Sequence, residues 1–299
     1  MPSEQARAVI EMLHTLKAMG PGTSTLEDER AAMELVQTVT QLADGVSVDA
    51  VDAGGVPAEW ITPPSARPDR QFVYFHGGGY ALGSLDSHRH FLSHLAVGCR
   101  TPILSVDYRL APEHPFPAGL DDGVASLAWA IEHAAPGVKT IVGGDSAGGG
   151  LTGAVLLRTR ERGGKLPDAT VLFSPWTDLT GSGDSIITRA EADPLLRGDR
   201  LDEGVERYLQ GAVDASDPLA SPLFGDHAGL PPTYISVGDA EIILDDSTRL
   251  ATRMADAGVD VKIVVADAMF HVYPALASVI PESDSAVADI ANWLDATLD

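Results

Sequence analysis

The chain is poor in cysteine and in lysine, and it has no long apolar run. Cys99 is the only cysteine among 299 residues, so no internal disulfide can form and no cysteine-based structural zinc site exists. A lone thiol suits a reducing cytoplasm, which is the location expected here. Nowhere do eighteen apolar residues follow one another, so no membrane-spanning helix is expected. The first twenty residues mix Glu4, Arg7, Glu11, His14 and Lys17 among apolar ones, unlike the unbroken core of a signal peptide. Positive charge is scarce as well: 20 Lys and Arg, only four of them Lys, face 43 Asp and Glu, for a formal charge of −23. No basic run breaks that field, so phosphate backbones and anionic lipid surfaces are repelled, and neither nucleic acid nor membrane is expected as a partner.

What remains is ordinary globular composition, 44 % hydrophobic and 21 % charged, which argues against wholesale disorder. Helical spacing of Val9, Met12, Leu13 and Leu16 predicts a first helix from Glu4 to Met19, stopped by Pro21 and Gly22. Thr25 and Asp28 resemble a capping box, and Leu35, Val36, Val39 and Leu42 carry a second helical pattern to about Ala43. The period then changes to two: Val46, Val48 and Val51 alternate with small or acidic residues, Gly54 and Gly55 turn the chain, and Val56 to Ile61 completes a hairpin. Six short apolar runs follow (71–75, 102–107, 140–143, 170–173, 233–237 and 261–265), separated by helix-length segments near 120–135, 146–162, 245–257 and 283–298. Such runs read as strands of a parallel sheet covered on both faces, and the hairpin brings the total to eight. Residues 179–224 break the rhythm and read as an insertion at the mouth of the sheet. With no repeat or linker, residues 1–299 read as one α/β domain whose cap is built from about 1–45 and about 179–224.

The sharpest chemical signal is Gly144-Asp145-Ser146-Ala147-Gly148, set between a strand and a helix. There the two glycines permit a turn sharp enough to raise the Ser146 hydroxyl above the sheet, the nucleophile elbow. An overlapping Gly148-x-Gly150-x-x-Gly153 mimics a dinucleotide fingerprint. It starts two residues inside the helix and the next strand ends on Ser174 and Pro175 rather than an acid, so close packing of helix on sheet is the preferred reading. His76-Gly77-Gly78-Gly79 follows the 71–75 strand, and such a turn can aim bare N–H groups at a developing oxyanion. An elbow serine needs an acid and then a histidine further along the chain. His227 precedes the 233–237 strand, whereas His271 lies on a loop beyond the last one and fits the base. For the acid, Glu241 lies mid-loop with Ile242-Ile243-Leu244 to anchor it; Asp239 can shape the turn, and Asp245 and Asp246 read as N-cap and first-turn acid of the next helix, with Asp239 and Asp245 still open as alternatives. His88, His90 and His94 read as a satisfied helix face rather than a metal site, and Arg109, Glu113 and His114 as bracing one another in a proline-rich loop.

His76 to Gly79, Asp107-Tyr108-Arg109-Leu110-Ala111-Pro112-Glu113, Gly144 to Gly149, Ser174-Pro175-Trp176-Thr177-Asp178 and Met269-Phe270-His271 together resemble, in order, the blocks of the hormone-sensitive-lipase family of bacterial esterases. The resemblance runs from about Val46 onward. It implies an α/β-hydrolase fold with an eight-stranded, mostly parallel sheet, helices on both faces and a helical cap, ester hydrolysis, and no cofactor. Carried over by residue, it makes Ser146 the nucleophile, His271 the base, and the N–H groups of Gly78, Gly79 and Ala147 the oxyanion hole. The family acid is usually Asp; Glu241 stands in its place, with Asp245 where a second Asp falls. It also points to a possible homodimer through the sheet edge near Val261 to Val265. The expected substrate is a small, soluble, short-acyl ester. Amides, carbamates or lactones on the same triad are the alternative, and a non-catalytic receptor is a lesser one because His271 is retained.

Overall fold

A computed structural model describes residues 1–18 and 25–299. The helix stop expected at Pro21 and Gly22 lies outside the described residues. One eight-stranded sheet runs in the order β1-β2-β4-β3-β5-β6-β7-β8, built from β1 (Ser47–Asp52), β2 (Pro57–Thr62), β3 (Arg70–Phe75), β4 (Ile103–Val106), β5 (Lys139–Asp145), β6 (Ala169–Phe173), β7 (Thr233–Gly238) and β8 (Val261–Ala266). The β1–β2 hairpin pairs antiparallel and β2 joins β4 antiparallel; from β4 through β3 to β8 every pairing is parallel. All eight expected strands are present, which fits the α/β-hydrolase architecture. β3, β4, β6 and β7 are buried along their whole length, as continuous apolar runs in a sheet covered on both faces should be.

The pleat sends alternate residues into two cores. Val73, Phe75, Val142, Leu172 and Ile235 face one side with α4 (Ala118–His133), α5 (Ser146–Glu161) and α8 (Leu244–Asp256). Phe72, Tyr74, Ile141, Val171, Phe173 and Tyr234 face the other with α3 (Leu85–Cys99) and α9 (Pro281–Leu298). Close packing of α5 explains the three glycines that mimicked a dinucleotide fingerprint: a Cβ on Gly148 would overlap Phe75 O, one on Gly150 would overlap Trp176 O, and one on Gly153 would lie 2.8 Å from the Pro222 Cβ.

Elements outside the sheet gather over its carboxyl edge. Through Ala6, Val9, Ile10 and Leu13, α1 (Glu4–Ala18) packs on Met269, Phe270 and Tyr273 around the His271 loop, while its Met12 and Leu16 stay exposed. The Thr25–Asp28 capping box opens α2 (Leu26–Glu34) as expected, but the α-helix stops there and tightens into a 3-10 turn over Leu35–Val39 rather than running to Ala43. Leu35, Val39 and Leu42 are exposed, so these three supply no packed apolar stripe to sustain the α-helical pitch. The 179–224 stretch holds α6 (Ser185–Thr188) and α7 (Gly198–Leu209), and α7 reaches α2 through Glu29, whose carboxylate meets Arg200 at 2.8 Å and Arg207 at 2.7 Å. Two local expectations are corrected. Of Arg109, Glu113 and His114, only the last two act on each other: Arg109 pairs with Asp122 at 2.7 Å and Glu113 mainly with Arg30 at 2.7 Å, charges remote in sequence. The N-cap of α8 is Ile243, not Asp245; both Asp245 and Asp246 fall in the first turn.

Candidate active site

At the carboxyl end of β5 the chain turns directly into α5 at Ser146, whose φ of +52° lies in the left-handed region. A side-chain-bearing residue holds that conformation only where its surroundings impose it. Here Trp176 N–H donates to Ser146 O at 2.8 Å, and bare glycines at 144 and 148 let the elbow press against the Phe75 and His76 carbonyls. Ser146 is left half-buried at the N-terminus of a helix, where partial positive charge gathers.

The neighbouring strand β3 ends in His76 to Gly79. Gly78 and Gly79 have φ of +117° and +61°, a path that strongly favours glycine. Asp145, adjacent to Ser146, fixes this loop: its buried Oδ1 accepts from Gly77 N–H at 2.9 Å and from the Tyr74 hydroxyl at 2.9 Å, with His88 Nε2 at 3.4 Å. Burial pushes the Asp145 carboxyl up, yet His88 and the Tyr74 hydroxyl outweigh it and hold the group below the usual carboxylate range. His76 is pushed down to about 4, first by burial and then by His88, and its backbone carbonyl accepts from the Tyr108 hydroxyl at 2.7 Å. Among the described residues the N–H groups of Gly78, Gly79 and Ala147 donate to no partner. Three donors near Ser146 are thus left free.

On the far side, Glu241 is fully buried between β7 and α8. Its Oε2 lies 2.7 Å from His271 Nδ1, while Oε1 accepts from the Ser174 hydroxyl at 2.6 Å and from Gly238 N–H at 2.6 Å. Burial lowers the pKa of His271, but the Glu241 carboxylate more than offsets that and the net shift is upward. Of the three candidate acids the structure brings only Glu241 to His271. Asp239 instead accepts from Ala268 N–H at 2.7 Å, and Asp245 from Ser185 N–H at 2.9 Å. Among the described residues no hydrogen bond joins Ser146 Oγ to His271, a contact that often closes only with substrate bound. His227 is placed elsewhere, its Nε2 2.9 Å from Pro222 O. His90 and His94 meet the Thr40 and Gln41 carbonyls, each at 2.9 Å, a satisfied helix face.

Three residues escaped sequence reasoning: Asp145 as the anchor of the glycine loop, Ser174, and Asp193. The last is a buried acid that accepts from Ile242 N–H at 2.9 Å and from Leu195 and Leu196 N–H at 2.8 Å each. Among the described residues no group of three His, Cys, Asp or Glu side chains is placed to hold a metal ion. No helix there is long and apolar enough to cross a membrane.

Comparison with known proteins identifies the kinship of the chain. A family described by its α/β-hydrolase fold matches residues 72–275. An acetyl-hydrolase of Streptomyces hygroscopicus is 42 % identical over 240 residues, covering 80 % of this chain and 79 % of its own. A carboxylesterase of Mycobacterium tuberculosis is 33 % identical over 290 residues, covering 92 % and 90 %. The crystal structure of an esterase from the bacterial hormone-sensitive-lipase family superposes with a TM-score of 0.94 at 40 % identity, over 100 % of both chains.

Proposed function

From a chain that belongs to the hormone-sensitive-lipase family of α/β hydrolases, and is an esterase by kinship, we propose a serine carboxylesterase that hydrolyses short-chain, soluble esters through an acyl-enzyme. The observation that carries this reading is the buried Glu241 carboxylate 2.7 Å from His271 Nδ1, on loops at the same sheet edge as the strained Ser146 elbow. Nδ1 donates to Glu241, which leaves Nε2 as the acceptor for the Ser146 proton. As Ser146 Oγ attacks the ester carbonyl, His271 takes that proton and the N–H groups of Gly78, Gly79 and Ala147 receive the developing oxyanion. His271 then passes the proton to the leaving alcohol. Water enters by the same route and releases the acid.

The preference for small acyl groups is supported by the aromatic wall beside the oxyanion loop. Tyr80 stacks on Tyr208 with ring centroids 3.8 Å apart and tilts against Trp176 at 5.9 Å. Above them α7 approaches so closely that a Cβ on Gly204 would sit 3.7 Å from Gly79 O. Residues 1–45 and 179–224 form the cap in this reading, a cytoplasmic location goes with it, and homodimerisation proceeds through the β8 edge, where Val265 is exposed; sedimentation velocity checks the last point. The functional test is an acyl-chain-length series of chromogenic esters with wild type and Ser146→Ala. Turnover should be highest for short acyl chains and vanish in the variant. Undiminished turnover in Ser146→Ala would sink the proposal.

A further inference from the structure

Ser174 lies just past the end of β6, fully buried, with a left-handed φ of +44°. Its hydroxyl makes two bonds at once: it donates to Glu241 Oε1 at 2.6 Å and accepts the N–H of Val272, the residue after His271, at 3.0 Å. Val272 is itself left-handed, φ +53°, although a β-branched side chain resists that region. Two strained positions on separate loops therefore meet at one hydroxyl, and strain of this kind persists where the surroundings over-determine it, most often at functional sites. A glutamate carries one more rotatable bond than an aspartate, so aiming Oε2 at His271 requires Oε1 to be tied down. Ser174 and Gly238 are the groups that tie it.

We propose that Ser174 is a positioning residue of the triad, holding the Glu241 carboxylate and the backbone that follows His271 in a single register. The proposal rests on the esterase reading above. The charged and titratable groups facing His271 are Glu241 from the β7–α8 loop, Asp193 from the 179–224 segment and Asp145 from the end of β5, and Tyr273 on its own loop faces Glu241. Without the Ser174 donor, the carboxylate binds the imidazolium proton more tightly and is less well aimed.

The test compares Ser174→Gly and Ser174→Ala with wild type, counting folded sites by exhaustive fluorophosphonate labelling. Glycine accepts the positive φ, so Ser174→Gly removes the hydroxyl without adding strain and carries the test if the alanine variant fails to fold. Expected in both is a kcat per labelled site about tenfold to a hundredfold lower, KM within about twofold, and an acidic limb of the kcat/KM profile moved to higher pH. Wild-type kcat per labelled site with an unmoved limb overturns the proposal, including where fewer sites label, because that marks a merely structural serine. Ser146→Ala, which offers no serine to label and is assayed per mole of folded protein, separates the two readings. If it retains turnover, the esterase mechanism fails; if it is dead while the Ser174 variants match wild type, only the role of Ser174 fails.

Discussion

The carboxyl edge of the sheet and the contacts of α2 lying over it are held by different kinds of bond. Below, each chemical group sits in a buried hydrogen-bond shell: Asp145 on Gly77 and Tyr74, Glu241 on Ser174, Gly238 and His271. Above, α2 is joined to α7 and to the loop at Glu113 by partly exposed ion pairs of Glu29 and Arg30, and Ile187, Leu195, Met12 and Leu16 are exposed. A buried bond to a charged group is worth about 1.5–3 kcal/mol, a surface ion pair about 0–1 kcal/mol. The hydrogen-bond shell of Asp145 and Glu241 is therefore tightly specified and the α2–α7 contact loosely so.

The contrast predicts a descending series of effects. Ser146→Ala should lower kcat by about ten-thousandfold or more in an ester assay, since the triad acts as a unit. Glu241→Ala should cost about a thousandfold to ten-thousandfold, while Asp239→Asn stays within about twofold; the reverse ranking would move the acid to Asp239. Asp145→Ala should cost about tenfold to a hundredfold in kcat by releasing the oxyanion loop, and an unchanged kcat would show that Gly77 needs no anchor. The raised pKa of His271 puts the acid limb of kcat/KM above about 6.5, and a limb below that value breaks the His271–Glu241 pairing. On stability the sign is opposite: protonated His271 favours the folded state, so its contribution is full below about pH 6.5 and fades as pH climbs through the folded-state pKa. Smallest of all, Glu29→Gln should lower stability by no more than about 1 kcal/mol and shift KM about twofold, and high salt should reproduce both in wild type. A large loss of kcat there would erase the distinction between the two regions.

Much of the lower region was legible in the sequence for a physical reason. A strand buried on both faces must be apolar throughout, and a sharp elbow must have glycines beside it, so β3 to β7 and Ser146 carry local signatures. Asp145, Ser174 and Asp193 carry none: each acts on a residue far away in the chain, and an acid or serine in isolation says nothing of its partner. The irregular 179–224 segment hid α7, although Leu201, Val205, Tyr208 and Leu209 follow the i, i+4, i+7, i+8 spacing that could have revealed it. Residues 35–43 misled in the opposite sense, because helical spacing alone does not bury Leu35, Val39 or Leu42.

An acyl-enzyme on Ser146 should be trapped by quenching the enzyme in acid during turnover of a short-chain chromogenic ester and weighing its peptides by mass spectrometry. One added acyl group is expected on the peptide containing Ser146, and none in Ser146→Ala. Steady turnover with no adduct on that peptide, or an adduct on another residue that persists in Ser146→Ala, would contradict it.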